Sequence, residues 1–201
     1  MSDNELITGF LTAALNGDAS TLKACVAQGV DINVTNRQGR TAITIASLNQ
    51  KYDCVALLIE AGVDINQQDE TCFNPFLISC LNNDLKLLRL LLPAKPDLTR
   101  LTRFGGVGIT PASEKGHVEI VRELLVHTEI NVNHTNFLGW TPLLEAIVLN
   151  DGGKKQQEII SLLLEHGANP HMTDKYGKTP RELAEEKGYR EIAQLLREAG
   201  A

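Results

Sequence analysis

Four histidines fall in the loops of the C-terminal half, His127 and His134 in one, His166 and His171 in the next. Imidazoles gathered from adjacent loops are the usual nitrogen ligands of zinc. No carboxylate–histidine motif or fixed ligand spacing accompanies them, so they read as surface residues rather than a metal site. The cysteines Cys25, Cys54, Cys72 and Cys80 have neither metal nor redox spacing, which fits a reducing compartment. Gly177-Lys178-Thr179 matches the end of a phosphate-binding loop, yet the position of its required first glycine holds Met172. The run Gly105-Gly106-Val107-Gly108 fits no dinucleotide fingerprint, because no strand–helix–strand unit surrounds it. No nucleophile, base and orienting group can be assembled. The residues assign no catalytic, cofactor or metal position, and the chain does not read as an enzyme.

The elements that carry these residues are set by a repeat. Short polar residues at Asp3, Asn36, Asp69, Thr102, Asn136 and Asp174 open six units at intervals of 33, 33, 33, 34 and 38 residues. A unit of this size cannot bury its own apolar face, so neighbours must stack. Position 4 is glycine in four units (Gly39, Gly105, Gly139, Gly177), supplying the positive φ of a tight turn. Thr141-Pro142 and Thr179-Pro180 at positions 6 and 7 are an N-cap followed by proline at the first helical position. Small residues at positions 11 and 12, such as Ala13-Ala14 and Ala46-Ser47, allow one helix to approach its neighbours closely. A Leu-rich second helix follows, as in Leu90-Leu91-Leu92 and Leu162-Leu163-Leu164. A glycine and a polar–apolar–polar link close the unit, as in Gly29-Val30-Asp31-Ile32-Asn33. By repeat position, Cys25, Cys54 and Cys80 are core residues, and Cys72 stands at a turn.

The Gly-x-Thr-Pro-Leu run, the Ala pair, the Gly116-His117 turn and Leu163 to Ala168 stand in the order of the ankyrin repeat family, which residues 3–201 resemble. The chain looks like a short stand-alone bacterial ankyrin protein. The resemblance implies an all-α solenoid of stacked helix–turn–helix units with β-hairpin loops, one domain over residues 1–201 with about six repeats including end caps. It also implies a concave face that binds protein partners. In the last unit Arg181 and Arg197 stand where inner units carry apolar residues, so this unit is expected to be a polar cap and the array complete.

Units three and four depart from the pattern. Cys72 replaces the turn glycine, Asn74 the capping threonine, and Val107-Gly108 stands where Thr-Pro is expected. The middle of the array is therefore expected to open most easily. Unit five carries five extra residues around Asn150–Lys155, between its helices, and a tolerated surface loop is the favoured reading over a partner-specific protrusion.

Positions 2, 3 and 5 flank the turn and should point outward. Of nine aromatics in the chain, five (Phe73, Phe104, Phe137, Trp140, Tyr176) occupy these positions. With Asn4, Glu5 and Ile7 taken as the first tip, the tips carry Arg37, Arg40, Arg103, Lys175 and Lys178 against Glu5 and Glu70. That net +3 leaves −9 for the remainder of a chain of net charge −6. The candidate partner-binding set is Arg37, Arg40, Phe73, Arg103, Phe104, Phe137, Leu138, Trp140, Val148, Leu149, Lys175, Tyr176 and Lys178, with unit five at its centre. Such a ridge suits a protein partner bearing acidic and apolar groups. A structural role for the same aromatics, in hairpin packing, is the competing reading.

Nucleic-acid binding through basic–aromatic tips is the alternative, and the acidic net charge argues against it. A metal-dependent activity of the loop histidines is a further alternative without supporting spacing. A monomer is expected, with self-association through unit five as the competing state. No membrane-length apolar run and no signal-peptide pattern occur, so a cytoplasmic location is expected.

Overall fold

A computed structural model describes residues 3–201, which contain twelve α-helices in six antiparallel pairs. The contacts divide the chain into two compact units, the first ending at Asp97 and the second beginning at Leu98.

In the first unit, α1 (Asp3–Asn16) and α2 (Ala19–Ala27), α3 (Ala42–Leu48) and α4 (Tyr52–Glu60), and α5 (Pro75–Leu81) and α6 (Leu85–Leu91) form the pairs. First helices pack on first helices (α1 on α3, α3 on α5), and second helices on second helices (α2 on α4, α4 on α6). The small residues at positions 11 and 12 make this possible, since Ala14 and Ala46 are fully buried between helices. Phe10, Leu22, Ile43, Leu58, Leu87 and Leu91 fill the space with no exposed area. The second unit repeats the scheme with α7 (Ile109–Glu114), α8 (Val118–His127), α9 (Pro142–Val148), α10 (Lys154–Glu165), α11 (Pro180–Glu186) and α12 (Arg190–Glu198). Here α7 packs on α9 and α9 on α11, while α8 packs on α10 and α10 on α12.

The starts of the first helices follow from their capping residues. Thr41, Asn74, Thr141 and Thr179 each accept a hydrogen bond from the backbone N–H three residues on. Asn74 thereby does the work of the threonine it replaces. Gly108 offers no side chain, and α7 is accordingly the shortest of the six first helices, at six residues.

Each hairpin is closed by the residue that opens the unit. The N–H of Asn36, Asp69, Thr102, Asn136 and Asp174 donates to the carbonyl of position 5, and the N–H of position 4 returns to the opening residue's carbonyl. The opening side chain then accepts further backbone N–H groups, as Asn136 Oδ1 does from Leu138 and Trp140. These loops are turns rather than strands; among the described residues the only β-pairing is an isolated bridge between Thr35 and Thr41.

Among the described residues four non-glycine residues have positive φ (Gln50, Cys72, Asn83 and Lys95), and each occupies a place that is glycine in other units. Three of the four lie in unit three, so the same backbone is built there against the preference of L-residues.

The first unit of the repeat differs from expectation. Asn4, Glu5 and Ile7 lie in α1, not on a hairpin tip. Position 4 holds Leu6 rather than a turn residue, and Asp3 and Glu5 favour a helical first turn by opposing the helix dipole. At the other end, Arg181 and Arg197 both reach Glu185, and Arg181 also donates to the Ala201 carbonyl.

Candidate hairpin and first-helix interface

In the second unit, tips 102–106, 136–140 and 174–178 stand beside α7, α9 and α11. Adjacent tips are tied together, since the Phe137 N–H donates to the Phe104 carbonyl at 3.0 Å. The Phe137 ring also lies over Gly105: a Cβ there would come within 2.5 Å of the ring, so only glycine accepts this approach. Even so, Phe137 remains 75% exposed, Phe104 71% and Tyr176 76%. Leu138 and Leu149 are about half exposed, and Trp140 and Val148 are half-buried.

Position 5 leans toward position 13 of the same unit. Lys178 Nζ sits 2.7 Å from Glu186 on α11, and in the first unit Arg40 shares a groove with Leu48. Phe104 and Phe137 are thus joined by the backbone hydrogen bond between their tips, Leu138 and Trp140 share the fifth hairpin with Phe137, and Val148 and Leu149 lie at the end of α9.

The basic part of the set is less available than its sequence suggests. Lys178 is spent on Glu186, which raises the pKa of its ammonium. Arg40 Nε donates to the buried Asp69 carboxylate at 3.0 Å. Lys175 lies over the Tyr176 ring, 5.1 Å from its centre. Arg37 and Arg103 are exposed and form no ion pair among the described residues. Phe73 turns inward and packs partly buried against the core of the first unit.

Glu145, which repeat reading passed over, lies directly beneath this surface. It is 7% exposed at position 10, where other units carry Ile45, Ile78, Pro111 and Leu183. Asn136 Nδ2 donates to its carboxylate, so one amide joins the fifth hairpin to α9. Burial, reinforced by the nearby Glu114 carboxylate, pushes the Glu145 pKa up to about 7 despite that hydrogen bond. A charged residue in an otherwise uncharged column, with Thr12 in the first repeat, was the available signal.

The extra residues of unit five are built into the structure. Asn150 Nδ2 donates to the Glu114 carbonyl at 2.8 Å, and Asn150 Oδ1 accepts from Gln156 at 2.9 Å. The Tyr189 hydroxyl donates to the Asn150 carbonyl, and its ring covers Gly152, whose φ is 73°. The insertion thus bridges the helix pairs on either side of its own.

The histidines do not converge. His134 Nε2 donates to the Gly105 carbonyl at 2.7 Å, and His166 Nδ1 to the Leu162 carbonyl of its own helix at 2.8 Å. Among the described residues no group of three or more His, Cys, Asp or Glu side chains is placed to hold a metal ion. Cys25, Cys54 and Cys80 are buried, and burial raises the Cys80 thiol to about 12. Cys72, half-buried at its turn, is the most accessible of the four.

The ankyrin-repeat family pattern, described as three copies of the repeat, matches residues 10–102, 76–174 and 109–201. The chain belongs to the ankyrin repeat family. It is 70% identical over 201 residues, the full length of both chains, to a protein of Escherichia coli (strain K12) named as the ankyrin repeat protein YahD. A crystal structure of an ankyrin repeat domain from Acinetobacter baumannii AYE matches with a TM-score of 0.92 at 43% identity, covering 96% of this chain and 97% of that one. The ankyrin repeat protein EF0377 matches with a TM-score of 0.90 at 32% identity, covering 95% and 97%. Ankyrin repeats are in general modules of protein–protein interaction without catalysis. No helix among the described residues is long and apolar enough to cross a membrane.

Proposed function

We propose that this ankyrin repeat protein is a non-catalytic, monomeric cytoplasmic module over residues 1–201, and that a partner protein binds around its fifth hairpin and α9. The observation that supports the reading is the exposure of Phe104, Phe137 and Leu138 on tips closed by backbone hydrogen bonds, with Leu149 exposed at the end of α9. Rigid aromatic side chains on a fixed backbone lose little entropy on binding, and such residues dominate interface energetics. Arg103 and Lys175 flank the apolar centre and favour a partner with carboxylates beside its apolar contacts. Tyr176 and Lys178 belong to the rim of the same reading, with Lys178 contributing less because it is already paired, while Arg37, Arg40 and Phe73 are the part of the candidate set that the hairpins of the first unit carry.

The test is parallel affinity capture from host lysate with the wild type and a Phe137→Ala/Trp140→Ala variant of unchanged circular dichroism. A partner held by the wild type and lost by the variant supports the site. Equal recovery from both returns the tip aromatics to a structural role.

A further inference from the structure

The first unit holds an apolar groove that lies outside this surface. It runs between α1 and α3, with a volume of about 390 Å³, and Ile7, Leu11, Leu15, Ile45 and Leu48 form its apolar walls. The groove exists because residues Asp3–Asn16 form a helix where later units place a hairpin: Ile7, Leu11 and Leu15 recur every fourth residue along one face of α1. That face continues to Leu15, which is 48% exposed. From Ile7 to Leu15 the wall is about 12 Å long at 1.5 Å per residue.

One charged side chain lines the groove among the described residues, and it is Arg40. Its Nε is held at 3.0 Å by Asp69 Oδ2, and the Asp69 side chain is only 1% exposed. Asp69 is itself fixed by the N–H groups of Thr71 and Phe73 and by the Thr71 hydroxyl, which help keep its carboxyl below the usual range. The guanidinium is therefore oriented by a buried anion through one nitrogen. Among the described residues its two Nη groups carry no hydrogen bond. A planar fork with free donors is a carboxylate receptor, and pre-orientation spares the entropy that an arginine otherwise loses.

We infer that this groove binds a short peptide segment of a partner protein, with an Asp or Glu carboxylate on the Arg40 Nη groups and adjacent apolar side chains against Ile7, Leu11 and Leu15. The volume is that of a small-ligand pocket and accepts a few side chains. The single cation selects the acidic member of the motif. This site is independent of the fifth-hairpin surface, and either stands if the other fails.

The experiment pans a phage-displayed library of random 12-residue peptides on the full-length protein and measures the enriched peptides by fluorescence polarisation. Enriched sequences are expected to pair Asp or Glu with Leu, Ile, Met or Phe. Leu15→Glu, at an exposed position that leaves the core intact, should weaken them about tenfold or more, whereas Leu15→Lys should change them less than about threefold. Arg40→Gln should match Leu15→Glu. A decanoate titration followed by NMR shifts of α1 runs beside it. The proposal is overturned by a consensus lacking acidic residues, by equal affinity for Leu15→Glu and wild type, or by decanoate binding in the groove that no peptide displaces.

Discussion

Glu145 is a buried carboxylate at a position that five other units fill without charge, and its removal should stabilise the protein above neutral pH. Its pKa rises from an ordinary 4.5 to about 7, through burial first and the Glu114 carboxylate second, offset in part by Asn136. Below about pH 4.5 both folded and unfolded chains hold the proton, so the group has no effect on stability. Between about pH 4.5 and 7 the unfolded chain loses the proton while the folded chain keeps it, and stability falls as pH rises. Above about pH 7 the cost is fully present. At about 1.4 kcal/mol per pH unit, this is on the order of 3 kcal/mol. Glu145→Gln keeps the acceptor for Asn136 Nδ2, and its new amide can donate to Glu114. Thermal unfolding of wild type and variant at about pH 5 and pH 8.5 reads the difference, and other titrating groups cancel in the comparison. The variant should gain about 6–12 °C at pH 8.5 and little at pH 5, given about 2–4 °C per kcal/mol for a chain of this size. A gain equal at both pH values, or a loss at pH 8.5, refutes the reasoning.

Three further outcomes follow from the backbone and loops. Cys72→Gly should raise the unfolding free energy by about 0.5–1 kcal/mol, because relief of a left-handed residue worth about 1–2 kcal/mol exceeds the added chain entropy; urea titration measures it. Asn150→Ala should cost about 1–3 kcal/mol by orphaning the Glu114 carbonyl and Gln156, read as a lower urea midpoint. Amide hydrogen exchange should be faster across residues 69–112, where positive-φ Cys72, Asn83 and Lys95 and the short α7 concentrate, than across the helix pairs on either side in sequence.

The repeat alone determined the helical pairs, their order and the core. Position-specific glycines, the Thr-Pro caps and the small-residue pairs are local signals whose geometry the backbone must obey, and they recur often enough to average out single departures. Asn74 shows why: an amide satisfies the same N–H as the threonine it replaces. The outward direction of Phe104, Phe137 and Tyr176 was legible for the same reason, whereas Phe73 packs against the core and Trp140 is half-buried. Three features depended on tertiary packing. Arg40 is oriented by Asp69, and Lys178 is occupied by Glu186, only because those carboxylates, 29 and 8 residues away, come within hydrogen-bonding distance. The extra loop is anchored by Glu114 and Tyr189, 36 and 39 residues from Asn150. The α1–α3 groove arises from a helix that replaces an expected hairpin and from the neighbour it packs on. Repeat position states where a side chain starts, whereas charge and exposure depend on which distant atoms arrive beside it.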